Sequence, residues 1–380
     1  MGNEHRIHEI DALRGIALFG VLLVNIFIFH APYSYFSEFY GKFSGVQSNV
    51  VELVVEYFSG KFLFIFEFLF GYGIILQTRT QTNKFRSYFS WRMIVLFLFG
   101  FIHILLFWFG DILASYALLG ILVLPLIQLS DRQTLILGLL FLFFRPLYHV
   151  GIESFGWPSV EMARPIEYGK FIMTFQEGNF TEIYKLRMKE FWGFVPENLV
   201  WFISKTFGLF LLGMYAARKR FTEKVGEHRR IFTRISLFLM ISSVFWMLYR
   251  GDFYSLFDLD TTTYLSLLIG INVVFESTMS LAYIIGFVII FQRNPTFSKI
   301  FENVGRMALT NYILQSLICV ILFYGYGFGL YGRLRPSDLI LISLAIYVFN
   351  CVFSWLYLKQ MNAGPLEYVW RKLVGVFVSR

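Results

Sequence analysis

The chain has 380 residues, of which 57% are hydrophobic, 20% are aromatic and only 15% are charged. Soluble domains carry about 25% charged residues, and a globule of this length has too little interior to bury so much apolar surface. The composition therefore predicts an integral membrane protein, and it excludes a soluble DNA-binding protein, a disulfide scaffold and a disordered chain. The net charge of +8 indicates topology rather than a nucleic-acid partner, because Lys and Arg accumulate in cytoplasmic loops.

Apolar runs along the chain predict an all-α, polytopic membrane protein. A spanning helix needs about 20 mostly apolar residues, and ten runs reach or approach that length. The run at 263–292 is long and contains Glu276, and we treat it as one helix. The ten predicted spans cover residues 12–31, 60–78, 91–109, 112–129, 134–150, 198–217, 235–250, 263–292, 307–324 and 338–358.

The distribution of basic residues predicts how these spans are oriented. With the N-terminus in the cytoplasm, 21 Lys and Arg residues fall in inner segments and 9 fall in outer segments. This excess favours ten spans with both termini inside. The expected location is the cell membrane.

The predicted spans divide the chain into three regions. We expect a five-helix membrane region at 1–150, an extracytoplasmic loop or cap at 151–197 and a second five-helix membrane region at 198–380. The middle region is long for a connector, which favours a lid or an acceptor-recognition cap over a simple tether. Glu52 and Glu56, which lie among valines, indicate a short helix on the membrane surface at 50–58.

Polar side chains concentrate in the outer halves of five predicted spans. A charge in the hydrocarbon region costs at least ~2.5–3.5 kcal/mol, so each such group is expected to be paired or functional. We therefore predict a polar pocket that opens outward. As alternatives, Lys61 and Glu67 could form an internal ion pair, and Arg145 and Lys205 could extend to the headgroups. The side chains concerned are Asn25, His30, Lys61, Glu67, His103, Asp111, Arg145, His149 and Lys205.

His103 is the first candidate for a general base, because imidazole exchanges a proton near neutral pH. Asp111 follows about 12 Å further along a continuous helix, so we expect direct contact only if the helix breaks at Gly110. Asp111 is otherwise expected to line the pocket mouth or to cap the next helix. The alternative role for His103 is a structural hydrogen bond between helices.

Two further signals are interpreted as structural. Cys319 and Cys351 lie in apolar runs without other ligands at metal-binding spacing, so no metal is expected. Glycines at 327, 329 and 332 fit a GxGxxG pattern, but no strand precedes them. They predict a closely packed turn rather than a dinucleotide site.

Four blocks spread over the chain carry a family resemblance. The blocks are RIHEIDALRGIALFGVLLVN at 6–25; 60–62 with 70–73; His103 with 108–113 and 116–120; and 305–312 with 315–316 and 364–371. Together they resemble the YeiB-like family of bacterial multi-pass membrane proteins, whose function is largely unknown.

That family is similar in turn to transmembrane acyltransferases, including the acyltransferase-3 proteins and heparan-alpha-glucosaminide N-acetyltransferase. The shared piece is Asp11 with Arg14 and Gly15, followed by an aliphatic helix. Acyltransferase-3 proteins have a catalytic His at the position of Asn25, where the heparan enzyme also carries Asn. Glu67 stands where the family pattern has a small polar residue. The resemblance implies transfer of an acyl group from cytoplasmic acyl-CoA to an acceptor, often a sugar, on the far side of the membrane.

Acyl or acetyl transfer is therefore the leading functional hypothesis. The catalytic candidates are His103 as the base, Asn25 as a hydrogen-bonding group for substrate or oxyanion, and Asp111 to orient the acceptor. The expected donor is acyl-CoA or acetyl-CoA, whose phosphates Arg14 could meet, although Arg14 could equally anchor the helix end. The substrate-binding candidates are Arg14, His30, Lys61, Glu67, Arg145, His149 and Lys205.

Other functions remain open at this point. A transporter or exporter of a small polar or amphipathic molecule would use the intramembrane charges as its pathway, although no repeated halves are evident. A non-catalytic assembly or sensor protein is the third hypothesis, because no reaction motif is complete. The expected partners are the lipid bilayer and a small-molecule, glycan or lipid acceptor, without nucleic acid, and a homodimer is left open.

Overall fold

The computed structural model describes residues 7–80, 84–144, 146–148, 151, 167–255 and 261–378, and these are helical with short connections and no strand. Single 3₁₀ turns lie at Tyr33–Tyr35 and Leu124–Gln128. The α-helices are α1 His8–His30, α2 Phe36–Tyr40, α3 Val46–Tyr57, α4 Lys61–Thr80, α5 Phe85–Leu106, α6 Leu113–Val123, α7 Asp131–Leu142, α8 Tyr168–Glu177, α9 Phe180–Arg218, α10 Phe221–Glu227, α11 Arg229–Ser255, α12 Thr261–Arg293, α13 Pro295–Arg306, α14 Ala308–Phe323, α15 Pro336–Gln360 and α16 Pro365–Val378.

Six stretches of the described chain are long and apolar enough to cross a membrane, which confirms a helical membrane protein in outline. They are His8–His30, Val46–Thr80, Phe85–Leu106, Arg229–Gly251, Leu268–Arg293 and Pro336–Gln360. A seventh span is formed if α13 and α14, which meet at 75°, are counted together. The number of ten spans stays a prediction.

Two of the predicted spans are shorter in the structure than in the sequence interpretation. α6 has only 11 residues before the chain tightens into the 3₁₀ turn at Leu124–Gln128, which contains a proline. α7 starts afresh with a capping box between Ser130 and Gln133 and has 12 residues. Since Pro lacks an N–H and cannot continue an α-helical ladder, the run predicted at 112–129 ends as a tight turn.

Two other helices are longer than expected. α12 runs unbroken from Thr261 to Arg293, which confirms that the run around Glu276 is one helix. α9 runs for 39 residues from a capping box at Asn179 and Glu182. It passes through the predicted boundary at 197/198, so the C-terminal part of the predicted cap and the following span are one helix. The short helix predicted at 50–58 is present as α3, which leads into α4 to form one apolar stretch.

α1 lies at the centre of the helical bundle and packs against α4, α13, α14 and α15. At Gly15 and Gly305 the backbones of α1 and α13 approach so closely that a Cβ on either glycine would clash with a carbonyl of the other helix. The crossing of α4 and α9 repeats this arrangement at Gly71 and Gly213. Small residues that permit such approach are the usual means of packing helices in lipid, where dispersion contacts replace the hydrophobic effect.

The bundle has two distinct ends. We call the end where α1 begins the N-terminal end; there the Trp370 indole of α16 donates to the Arg92 carbonyl of α5 at 3.0 Å. We call the other the cap end; there α8 buries Phe171 and Phe175 against Tyr331. The glycine-rich turn predicted at 327–332 lies at the cap end, and Gly329 and Gly332 adopt φ of 62° and 68°, which favours glycine.

Candidate functional site

The break at the end of α5 brings His103 and Asp111 together. The helix ends at Leu106, where the buried Arg187 guanidinium donates to the carbonyls of Leu105 and Phe107. The chain then turns back, so that His103 Nδ1 and Asp111 Oδ1 lie 3.1 Å apart with both side chains fully buried. The separation of about 12 Å held only for a continuous helix; the helix breaks, as the alternative required, but at Leu106 rather than at Gly110.

Asp111 has a second role that the sequence did predict. Its Oδ2 accepts a hydrogen bond from the Ala114 backbone N–H at 2.7 Å, at the start of α6. The carboxylate therefore caps one helix with one oxygen and faces the imidazole with the other. This confirms the predicted cap, with the helix starting at Leu113.

Ser316 completes a three-residue arrangement that sequence reasoning did not assign. Its Oγ lies 2.8 Å from His103 Nε2, and it also lies 3.3 Å from the Tyr312 carbonyl one turn earlier on α14. Ser316 is 3% exposed and His103 is 0% exposed. The sequence feature that could have identified Ser316 is the polar pair Gln315 and Ser316 in an otherwise apolar helix. This pair was noted only as part of the family resemblance.

The position of α14 is fixed from the N-terminal end of the bundle. The carboxylate of Glu367 on α16 accepts the backbone N–H groups of Leu309 and Thr310 at 2.8 and 3.1 Å. It also accepts the Thr310 hydroxyl at 2.6 Å. These bonds satisfy donors that the start of a helix leaves unpaired, and they hold the helix that carries Ser316.

Several buried polar atoms around this arrangement have no hydrogen-bond partner among the described residues. They include the Tyr116 hydroxyl and Gln315 Nε2. His103 Nδ1 and Asp111 Oδ1 also lack a well-aligned hydrogen bond despite their 3.1 Å separation. These polar atoms are therefore available for hydrogen bonds to groups other than the described protein atoms.

A cavity of about 1190 Å³ opens at the cap end and reaches Asp111. Aromatic and aliphatic side chains form most of its wall. Three of the sequence candidates, Asn25, Asp111 and Lys205, line it, and the exposed Lys185 and Lys189 stand at its cap side. Three of the nine candidates thus share one cavity, whose wall is mainly apolar, and the polar pocket stays a prediction.

A smaller cavity of about 410 Å³ enters from the N-terminal end. Its polar lining is dominated by arginines from four segments of the chain, with Asp11 and Glu367 as carboxylates; the arginines are Arg14, Arg92, Arg306 and Arg371. The Asp11 carboxylate accepts a hydrogen bond from the Arg14 guanidinium at 2.9 Å. The Glu367 carboxylate already accepts hydrogen bonds from the start of α14. The cavity is therefore suited to an anion.

The two cavities share two lining residues, Val21 on α1 and Ile112 beside Asp111. Tyr312, one turn before Ser316, lines the cavity from the N-terminal end. Asp111 lines the cavity from the cap end. Ser316 and His103 line neither cavity, so the arrangement is buried between the two linings and touches the cap-end cavity through Asp111.

A second charged cluster differs from the ion pair considered in the sequence analysis. Lys205 Nζ lies 2.6 Å from Glu276 Oε1, and the Thr206 hydroxyl donates to Glu67 Oε1 at 2.6 Å. Lys205 was expected to line the pocket or to extend to the headgroups; it lines the cap-end cavity and is paired there with an acid on α12. Lys61 is buried beside this cluster, next to Gly60, which packs against the Glu276 carboxylate.

His30 is a structural residue rather than a substrate ligand. Its Nε2 accepts the Leu334 backbone N–H at 3.1 Å, so Nδ1 carries the proton and donates to the Tyr40 hydroxyl at 3.2 Å. Both ring nitrogens are satisfied and the side chain lies outside the lining of either cavity. Glu67 also lies outside both linings. Arg145 and His149 lie outside the described residues.

Comparison with known proteins places this chain among relatives of matching length. Residues 216–376 match the family described as "Protein of unknown function (DUF418)". The chain is 30% identical to "Uncharacterized protein YxaH" of Bacillus subtilis (strain 168), with 97% of this chain and 94% of that protein covered. It is 28% identical to "Uncharacterized 39.9 kDa protein in amylase 3'region" of Bacillus acidopullulyticus, with 97% and 94% covered.

A further relative extends the comparison to another bacterium. The chain is 27% identical to "Uncharacterized protein YeiB" of Escherichia coli (strain K12), with 96% of this chain and 95% of that protein covered. No solved structure matches the chain. The resemblance drawn from the four sequence blocks is thereby confirmed, and the chain belongs to the YeiB-like, DUF418-containing family.

Proposed function

We propose that this protein is a membrane-embedded acyl- or acetyltransferase of the cell membrane. It takes the acyl group from acyl-CoA or acetyl-CoA in the cytoplasm and passes it to a small-molecule, glycan or lipid acceptor on the other side. The observation that carries the proposal is the buried His103 and Asp111 pair between two cavities that open at opposite ends. A transferase that works across a membrane needs access to one reaction centre from both sides.

The proposal includes a ten-span topology with both termini in the cytoplasm. In that topology the N-terminal end of the bundle is cytoplasmic, in agreement with its many arginines. The arginine-lined cavity then receives the donor, since guanidinium groups bind phosphate oxygens with paired, charge-assisted hydrogen bonds. Its volume of about 410 Å³ falls in the range of small-molecule sites. It suits the thioester arm, with the phosphates at the arginine-lined mouth.

The cap-end cavity receives the acceptor in this proposal. Its large, mainly apolar wall suits an amphipathic molecule, and Lys185 and Lys189 would attract acidic groups on it. Asn25 is available to hydrogen-bond the acceptor or the developing oxyanion. His103 supplies the base, and Asp111 holds the imidazole rather than the acceptor, because its free oxygen faces Nδ1.

The runner-up function is transport of a small polar or amphipathic molecule. It is favoured by the buried Lys205 and Glu276 pair, with Lys61 nearby, since intramembrane charges mark many ion and substrate pathways. Two cavities that meet in the middle of a bundle also fit alternating access. The two functions differ in whether a covalent bond is broken.

The test is an assay of purified protein in detergent with acetyl-CoA that carries a radiolabelled acetyl group. We expect release of free CoA thiol by the wild type and its loss in His103→Ala. His228→Ala, which changes an exposed histidine outside the site, is the matched control and should keep full activity. Turnover that survives His103→Ala, or no thioester cleavage by a folded wild-type protein, contradicts the proposal. Substrate flux in proteoliposomes without cleavage would establish the transporter instead.

A further inference from the structure

We infer that Ser316 is the nucleophile of the reaction and carries the acyl group as a serine ester between donor and acceptor. This inference rests on the proposed acyl transfer and adds a covalent intermediate to it. The observation behind it is the chain of contacts from Ser316 Oγ to His103 Nε2 at 2.8 Å and from His103 Nδ1 to Asp111 Oδ1 at 3.1 Å. A hydroxyl, a base and a carboxylate in this order can activate a serine.

The carboxylate determines which nitrogen of His103 faces the serine as an acceptor. Asp111 uses Oδ2 to cap α6 and presents Oδ1 to Nδ1, which favours the tautomer with the proton on Nδ1. The lone pair of Nε2 then points to Ser316 and can take the hydroxyl proton. The competing acceptor for that proton, the Tyr312 carbonyl, is farther away at 3.3 Å.

The burial of His103 argues for an intermediate rather than for direct transfer. The imidazole is 0% exposed, and its Nε2 faces Ser316, so the base acts on whatever group lies at Ser316 Oγ: the serine hydroxyl first, and then an acceptor that attacks the serine ester. Ser316 lies about 6 Å beyond Tyr312 on the same face of α14, and Tyr312 lines the donor cavity. Ser316 itself is 3% exposed and lines neither cavity, so a thioester in the donor cavity would reach it past Tyr312.

A polar atom is available to stabilise the charge that would develop on the carbonyl oxygen. Tyr116 lines the donor cavity, and its hydroxyl is buried without a hydrogen-bond partner among the described residues. A fixed donor of this kind stabilises an oxyanion at little reorganisation cost. Gln315 Nε2, beside Ser316 in sequence, is a second unsatisfied donor in the described region.

The chemistry balances in two steps. In the first, Ser316 Oγ attacks the thioester carbon while His103 takes its proton; the C–S bond breaks, and the thiolate leaves with that proton as free CoA. In the second, the acceptor hydroxyl or amine attacks the serine ester while His103 takes the acceptor's proton. The C–O bond to Ser316 breaks, and His103 returns the proton to Oγ. Neither step needs an oxidant, a reductant or a further reactant.

The experiment combines trapping of the intermediate with three variants. Wild-type protein is mixed with acetyl-CoA labelled in the acetyl group, quenched in denaturant, and analysed for bound label and by peptide mass spectrometry. We expect label on the peptide with Ser316, stable to neutral hydroxylamine as esters of serine are. Ser316→Ala should lose this label and about 10³-fold or more of the CoA release, as nucleophile removal does elsewhere.

Ser316→Cys separates chemistry from folding, because it keeps the side-chain volume and offers a thiol. Its label should be a thioester, which neutral hydroxylamine removes. Ser343→Ala is the matched control, since Ser343 is also fully buried on a helix and donates only to the Ile340 carbonyl in its own turn. It should keep both the label and the turnover.

The outcomes distinguish this inference from the function on which it rests. If Ser316→Ala keeps the turnover while His103→Ala loses it, transfer is direct; the inference is overturned and the proposed function stands. Label on a residue other than Ser316, or hydroxylamine-stable label in Ser316→Cys, also overturns the inference. If the folded wild-type protein cleaves no acyl-CoA, the proposed function itself fails.

Discussion

The two cavities differ in size and in charge, and under the proposed function each cavity suits a different substrate. The N-terminal cavity holds about 410 Å³ and is lined by four arginines, whereas the cap-end cavity holds about 1190 Å³ within a mainly apolar wall. Guanidinium groups select compact, highly charged oxyanions. A wide apolar cavity with lysines at its edge tolerates a bulkier, amphipathic molecule. Donor and acceptor would therefore be told apart by charge density before any chemistry occurs.

The largest expected effect is on the labelling of introduced cysteines from outside the cell, which should be complete at one end of the bundle and absent at the other. Cysteines placed at Asn179, at the cap end, and at Glu227, at the N-terminal end, are both exposed. We expect membrane-impermeant maleimide added to intact cells to label the first and not the second. Labelling of both from the same side would remove the assignment of one cavity to each side of the membrane.

The reaction centre between the cavities is expected to depend strongly on Asp111. Asp111→Asn keeps the size of the side chain but removes the charge that favours the proton on His103 Nδ1. General-base catalysis contributes about 10²–10⁴-fold, and we expect a loss in this range in kcat for CoA release. An unchanged kcat in a folded Asp111→Asn protein would show that the 3.1 Å contact is only structural.

Removing one positive charge from either cavity should raise the KM for the substrate of that cavity and leave the KM for the other substrate unchanged. Arg306→Gln in the N-terminal cavity should raise the KM for acetyl-CoA by about 10- to 100-fold, which corresponds to one charge-assisted hydrogen bond. Lys189→Gln at the cap end should leave that KM unchanged and raise the KM for an acidic acceptor. Equal effects of both substitutions on the donor KM would contradict the division of tasks.

Replacing two arginines of the cap region should change the stability of the protein by different amounts. Arg187 is fully buried and donates to two carbonyls at the end of α5, so Arg187→Met leaves these acceptors unsatisfied, at a cost of about 1–3 kcal/mol. Arg333 is half exposed and lies 4.0 Å from Glu177. Arg333→Met should change stability by less than about 0.5 kcal/mol. Thermal unfolding in detergent measures both, and equal Tm values for the two variants would argue against the bracing of α5 by Arg187.

Glu190 on α9, outside the predicted span at 198–217, should give a smaller dependence of stability on pH. Burial raises the pKa of its carboxyl from 4.5 to about 7, although hydrogen bonds from Ser34 oppose the shift. The folded protein therefore keeps a proton that the unfolded chain releases, and the stabilisation is full below about pH 4.5 and is lost as the pH rises towards 7. Glu190→Gln should flatten Tm over this interval, while Glu177→Gln, at an exposed carboxyl, should not.

Properties that depend on neighbouring residues could be predicted from the sequence, and those that depend on distant residues could not. Apolar runs predicted most helices, including α12 through Glu276, because burial and hydrogen bonding within one helix are local properties. The end of α5 at Leu106 was missed because it depends on Arg187, about 80 residues away. Because that end was not predicted, contact between His103 and Asp111 was expected only as an alternative.

The site residues follow the same rule. His103 was identified because an imidazole in an apolar run is conspicuous, whereas Ser316 lies 213 residues away and a lone serine in a helix is common. Glu276 was noted only as an interruption of an apolar run, so it was not identified as the partner of Lys205. His30 was chosen for its residue type, and only the contacts with Tyr40 and Leu334 reveal its structural role.

The side chains of Val21 and Ile112 bear on whether the two cavities connect across the membrane. They are the only residues common to the described linings of the two cavities, so at this point two apolar side chains lie between the cavities. A transporter that passed the entire coenzyme would have to move these two side chains apart, which would give protons a path through the protein. Under the proposed function, only an acyl group of a few atoms would pass this point, and the two side chains could stay in place.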